Sequence, residues 1–340
     1  MRTRHVGIDY LRAIMSVFVV IWHMGGGGTS LIFSRERYLE HSFTFSDFAN
    51  FHVLLLAVPT FIFMSVYLYG LREVNVKALT SRMKRLLPLL ILWPVIYALY
   101  RGGYDGFVAG FPDSGSGVVK TILTAGNTAY YFFVSLIVCL LVAHVFLLLG
   151  RRVQLLVMLL GVGLLVALPY ITMAADFYPL GAYWSPLNFI PLGLVAAYLA
   201  RSKDLLVGKK LWLLAGSALL CITFAIVEWR FSVDEVFFEG QISALPTFTR
   251  ASVLFGVVFV FFLVSSPKLK SFGLVRFMAQ YSLGLYCLHV FLLKPAKRLT
   301  SSMGLEGMAA TWLGIVIVLV GSYLIAWILR RWFFKDELVT

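Results

Sequence analysis

The sequence predicts an all-α integral membrane protein, a polytopic bundle of about ten transmembrane helices with both termini in the cytoplasm. Three observations carry that prediction. The chain is 60% apolar and only 13% charged, with a mean hydropathy of +0.89, far from the balance of a soluble domain. Most of its 340 residues fall in apolar runs of about 20, the length that crosses a hydrocarbon core. Basic residues crowd alternate connections between those runs.

The runs follow in order. Val6 to Met24 resembles a secretory signal in being basic-led and short, but Asp9 and Arg12 interrupt it and no A-x-A site follows, so it reads as a retained span. Phe48 to Tyr69 is the second, and Arg72, Lys77, Arg82, Lys84 and Arg85 separate it from Met83 to Gly102, whose uncharged core starts at Leu86. Ala129 to Leu149 and Val153 to Met173 flank Arg151 and Arg152. Tyr183 to Ala200 and Leu211 to Val227 flank Arg201, Lys203, Lys209 and Lys210. Leu245 to Val264 and Phe272 to Leu293 enclose Lys268 and Lys270, and Met308 to Leu329 ends in Arg330 and Arg331.

Numbered alternately, these spans place 20 of the 29 Lys and Arg on one side, leaving the two faces at +15 and −2. That asymmetry gives the cytoplasmic face and assigns the net charge of +13 to topology and the lipid bilayer, not to nucleic acid. Trp22, Trp184, Trp229 and Trp312 fall near the outer boundaries, and Trp212, Trp327 and Trp332 near the inner ones. No repeat and no soluble segment of useful size is evident, so residues 1–340 read as a single membrane domain. Cys139, Cys221 and Cys287 lie within apolar runs as small hydrophobes, without metal-ligand spacing. No metal is expected.

Chemistry is sought where charge enters hydrocarbon. Arg12 and His23 stand eleven positions apart, a spacing that returns two helical side chains to within about 20° of each other and roughly 16 Å apart along the axis. Asp9 and Ser16 fall near the same stripe. Charged groups so placed usually face a protein-lined cavity, although Asp9 and Arg12 also have the spacing of a local ion pair. Arg82 and Arg85, three residues apart, form a fork suited to phosphate oxygens, and equally suit topology anchors. Ser282, Tyr286 and His289 share a face of a late helix and read as a polar seam between spans, with a catalytic role as the alternative. Gly25 to Gly28 would admit a substrate close to the backbone or simply end the helix.

The run from Arg4 through Asp9, Leu11 and Arg12 to His23 resembles the first-helix signature of the membrane acyltransferase 3 family. AVPTFIFMSVY, with Pro59, Phe61, Phe63 and Ser65, is similar to its second-helix motif. Arg82, Arg85 and Pro88 are similar to its R-x-x-R-x-x-P signal, and YSLGLYCLH to its late Ser, Tyr, His helix. Two positions depart: Val66 stands where glycine is common after the serine, and Tyr131-Phe132-Phe133 replaces a Trp-centred pattern. Both departures bear on the acceptor cavity more than on the donor site.

The resemblance implies a membrane-embedded O-acyltransferase. An acyl group, most often acetyl, would pass from cytoplasmic acyl-CoA to a hydroxyl of a glycan, exopolysaccharide or glycolipid. Arg12, Arg82 and Arg85 would clamp the donor phosphates, Asp9 would hold Arg12, and His23 would be the general base or the acyl acceptor itself. Asp9 is roughly 21 Å of helix rise from His23, so a carboxylate partner for the imidazole would come from another span, with Asp47, Asp176 and Glu228 as candidates. The expected location is the inner (plasma) membrane, and oligomeric state is left open. The rival readings are a transporter or flippase for a glycan or lipid-linked intermediate, with the polar stripe as its path, and a membrane scaffold.

Overall fold

The computed structural model describes residues 5–25, 45–109, 114–126, 128–174, 182–202, 209–233, 248–265 and 269–332. Among them there is no strand. Helix α1 spans Val6–Met24, with Asp9 in its first turn, where an anion complements the helix dipole. It stops at Gly25, whose φ of 78° is left-handed and whose N–H closes on the Ile21 and Trp22 carbonyls. Gly25 is thus a helix stop, and Gly26 to Gly28 lie outside the described residues.

The second apolar run is not one regular helix. A single turn, Phe45–Phe48, passes through a π-helical turn, Ala49–Val53, and a 3-10 turn, Leu54–Leu56, before α2, Ala57–Gly70. Pro59 has no N–H for the Leu55 carbonyl, which suits its place in the first turn of α2, directly after the irregular turns. Helix α3, Val76–Ala109, starts under an Asn75 cap whose Oδ1 accepts from the Ala78 N–H at 2.8 Å. It carries Pro88 and Pro94 and breaks at Gly103, with φ 61°.

Helix α4, Gly115–Leu123, is short, and Ser114 caps it by accepting from the Gly117 N–H. Then come α5 (Tyr131–Leu148), α6 (Arg151–Ala174), α7 (Ile190–Ala200, after a 3-10 turn at Pro186–Asn188), α8 (Lys210–Val233) and α9 (Ala251–Val264). Helices α10 (Gly273–Ser302) and α11 (Gly307–Trp332) complete the described chain.

Among the described residues, six stretches are long and apolar enough to cross a membrane: Val6–Met24, Val76–Asp105, Tyr131–Leu148, Arg151–Leu168, Lys210–Glu228 and Gly307–Arg331. Three shorter apolar stretches, Leu54–Gly70, Pro186–Ala200 and Ala251–Val264, replace full-length spans expected at those places. Outer helices expose Ile91, Leu160, Ile226 and Val320. Aliphatic surface of that kind is stable against lipid and costly against water, so the protein is a multi-pass membrane protein.

Helix α1 lies inside the bundle, packed by α2, α9, α10 and α11, while α5 and α7 close around α2. At Gly7 a Cβ would collide with the Val264 carbonyl oxygen, so a glycine lets α1 meet the end of α9 backbone to backbone. Ser16 does not face a cavity with Arg12 and His23, as the stripe suggested. It is buried against α11, where its Oγ donates to the Ala13 carbonyl at 2.8 Å and lies 2.7 Å from the Tyr323 hydroxyl. Ser16 keeps the direction the stripe gives it, between His23 and Asp9, but at its depth along α1 the neighbouring surface is Tyr323 of α11 and not a cavity.

Candidate functional site

Two cavities lie along α1. The first, of about 360 Å³, brings together Asp9 and Arg12 of α1 with Arg82 and Arg85 of α3. Phe61 and Ser65 of α2, Phe132 of α5, and Gln280, Ser282 and Tyr286 of α10 complete much of its wall. Arg12 is within electrostatic reach of both Asp9 and Arg85. Three guanidinium groups against one carboxylate leave this chamber with a surplus of positive charge in a largely apolar surround. Such a site binds anions well, because low dielectric strengthens the attraction and guanidinium presents paired donors. Ser65 and Ser282 each donate to their own helix, to Phe61 at 2.8 Å and Ala279 at 3.0 Å. Their oxygens keep a lone pair for whatever fills the chamber.

The second cavity, of about 380 Å³, is lined by Val19, Trp22 and His23 of α1, by Leu54, Leu55, Ala57 and Val58 at the irregular start of α2, and by Thr128, Ala129 and Tyr131. Tyr183, Phe248 and Tyr286 close it. Irregular backbone at membrane depth is tolerated where it lines a cavity, and Leu54 and Leu55 of the 3-10 turn stand there. Its wall is aromatic and aliphatic with hydroxyls and one imidazole, and among its described lining residues none carries a permanent charge.

Tyr286 lines both chambers. Its hydroxyl donates to the Ala129 carbonyl, and its ring packs on Phe132 at 4.9 Å and on Phe133 at 6.2 Å between centroids. A reciprocal bond runs from the Tyr130 hydroxyl to the Cys287 carbonyl, 2.7 Å. The Tyr131-Phe132-Phe133 segment that departs from the expected pattern therefore builds the partition. Tyr131 faces one chamber, Phe132 the other, and Phe133 backs Tyr286. Val66, the other departure, is fully buried in the core.

His23 has a neighbour the sequence did not assign to it. The His289 ring lies 5.0 Å away, tilted by 46°, and is fully buried. Its Nδ1–H donates to the Tyr286 carbonyl at 2.7 Å. The polar seam expected of Ser282, Tyr286 and His289 is thus part of both chambers' walls and of the His23 surround. The signal was the spacing within YSLGLYCLH, but nothing in one helix tells which other helix it meets.

Glu228 is not the carboxylate partner of His23. It is buried and accepts from the Ser252 backbone N–H at 2.9 Å and from the Ser252 hydroxyl, with Arg250 in electrostatic reach. The His52 Nδ1 lies 3.4 Å from the same hydroxyl. A buried carboxylate needs such partners, and this one is engaged by α9. The Asp47 side chain and Asp176 lie outside the described residues.

Residues 5–331 match the family described as the Acyltransferase domain, acyltransferase 3. No individual curated protein matches the chain. The family match runs through every helix that walls either chamber, and so the chain belongs to the acyltransferase 3 family and is an acyltransferase.

Proposed function

We propose that the protein is an O-acyltransferase of the inner membrane that moves an acyl group, acetyl first among them, from cytoplasmic acyl-CoA to a hydroxyl of a glycan, exopolysaccharide or glycolipid. The observation that carries this reading is the pair of chambers that share Tyr286 as a lining residue, one basic and the other uncharged around His23. In the proposed topology the chain crosses ten times with both termini inside, which puts Arg12, Arg82 and Arg85 at the cytoplasmic mouth.

Coenzyme A is polyanionic, and its phosphates would be left at the guanidinium cluster while the narrow pantetheine arm carries the thioester past the partition. His23 opens onto the second chamber and would take the proton of an acceptor hydroxyl as that oxygen attacks the thioester carbon. The acyl–oxygen bond forms, the acyl–sulfur bond breaks, and the proton on His23 passes to the departing thiolate. Asp9 would keep Arg12 oriented. A chamber of 360 Å³ holds part of the donor only, which suits a ligand whose nucleotide end stays at the mouth.

Purified protein with radiolabelled acetyl-CoA and a cell-envelope glycan and lipid extract tests the reading. Alkali-labile label in the extract, and saturable donor binding without acceptor, are expected. Neither turnover nor donor binding would overturn it in favour of a transporter.

A further inference from the structure

The imidazole at the centre of the proposed reaction has no hydrogen-bond partner among the described residues, and Glu228, the candidate from another span with a described side chain, is bound to Ser252. His289 is placed to take that part. Its Nδ1–H is fixed by the Tyr286 carbonyl at 2.7 Å, which settles the neutral tautomer and makes Nε2 an acceptor. That Nε2 is buried and makes no hydrogen bond among the described residues, a costly state for a polar atom unless a partner arrives during function. A centroid separation of 5.0 Å lets facing ring nitrogens share one hydrogen at a donor–acceptor distance of about 2.9 Å after a small rotation of the His23 ring.

We infer that His289 is the positioning residue for His23, its Nε2 accepting the His23 N–H so that the other His23 nitrogen faces the acceptor hydroxyl. The inference rests on the acyl-transfer reading above. When His23 takes the hydroxyl proton it becomes an imidazolium with two N–H groups. One stays on the His289 Nε2, and the other is delivered to the thiolate. His289 itself gains and loses no proton. Its arrangement also ties the partition to the base, because the residue whose ring divides the chambers supplies the carbonyl that orients His289.

Two substitutions separate the two nitrogens. In His289→Asn the amide can still donate from the Nδ1 position to the Tyr286 carbonyl, but nothing stands at Nε2. In His289→Gln the longer side chain places an acceptor near Nε2 and gives up the bond to Tyr286. We expect kcat of His289→Asn to fall about tenfold or more, part of the 10²–10⁴ range a general base supplies, with KM for acetyl-CoA within about twofold of the parent. His289→Gln recovers part of kcat although its melting temperature is the lower of the two. Parent-level kcat in His289→Asn, or His289→Gln no faster than His289→Asn, overturns the inference. Should His289→Asn not fold, His289→Gln decides alone: activity well above His23→Ala upholds the inference and activity equal to it overturns it. An inactive parent protein overturns acyl transfer and this inference with it, so the parent rate tells the two failures apart.

Discussion

The two chambers are of nearly equal volume, about 360 and 380 Å³, and share Tyr286, yet they are built from opposite chemistry. The first collects Asp9 and three arginines from α1 and α3. The second meets α1 again farther along, at His23, which is exposed beside rings and aliphatic groups of the same wall. What differs is which states of a ligand each can tolerate. Phosphate charge is welcome in the first and unmatched in the second, while a neutral thioester and a hydroxyl suit the second. Spatial separation of binding charge from reacting bond is what an enzyme needs when its donor is polyanionic and its acceptor arrives from elsewhere.

The largest expected consequence falls on the second chamber. His23→Ala should remove acceptor acylation by about 10²–10⁴-fold or more while the purified protein keeps its melting temperature and donor affinity. Transfer at the parent rate would break the division of labour between the chambers. Next comes the first chamber. Arg85→Ala should weaken acetyl-CoA binding by roughly ten- to a hundredfold, the worth of one charge-assisted bond of about 1.5–3 kcal/mol, and should flatten the salt dependence of binding by isothermal titration. Unchanged Kd would remove the clamp.

The partition comes third. Tyr286→Phe removes the hydroxyl donor to the Ala129 carbonyl, which keeps only the long bond from the Phe132 N–H at 3.5 Å; this should cost about 1 kcal/mol of stability and raise acetyl-CoA hydrolysis relative to transfer, because water then crosses more readily. An unchanged ratio of hydrolysis to transfer would show that this hydroxyl does not seal the chambers. The smallest effect is expected outside both. Ser16→Ala breaks the bond to Tyr323 and should lower stability by about 1 kcal/mol with transfer per folded molecule unchanged. A loss of kcat there would return Ser16 to the reactive stripe.

The boundaries of α1 were legible to the residue, since the run from Val6 to Met24 is followed by Gly25, which stops the helix. The same reading missed the breaks before α2 and the shortness of α7 and α9, because hydropathy reports where a segment can be buried and not whether its backbone stays helical. Placement at helix ends reads equally as topology anchoring for Arg82 and Arg85, and only the family resemblance implied that they join Arg12; the structure lines one chamber with these three and Asp9. Ser16 falls on the expected stripe but at a depth where α11 covers it. The meeting of His23 with His289, and the capture of Glu228 by Ser252, depend on contacts between distant helices. Spacing within one helix carries no record of them.

In the proposed mechanism the donor enters at the basic chamber and reacts across the partition. Membrane vesicles of opposite orientation test it, since acetyl-CoA does not cross the bilayer. With radiolabelled acetyl-CoA added outside, inside-out vesicles, which present Arg82 and Arg85 to the medium in the proposed topology, should acylate their glycans or lipids. Right-side-out vesicles should not. Equal labelling in both, or labelling confined to right-side-out vesicles, would contradict the account.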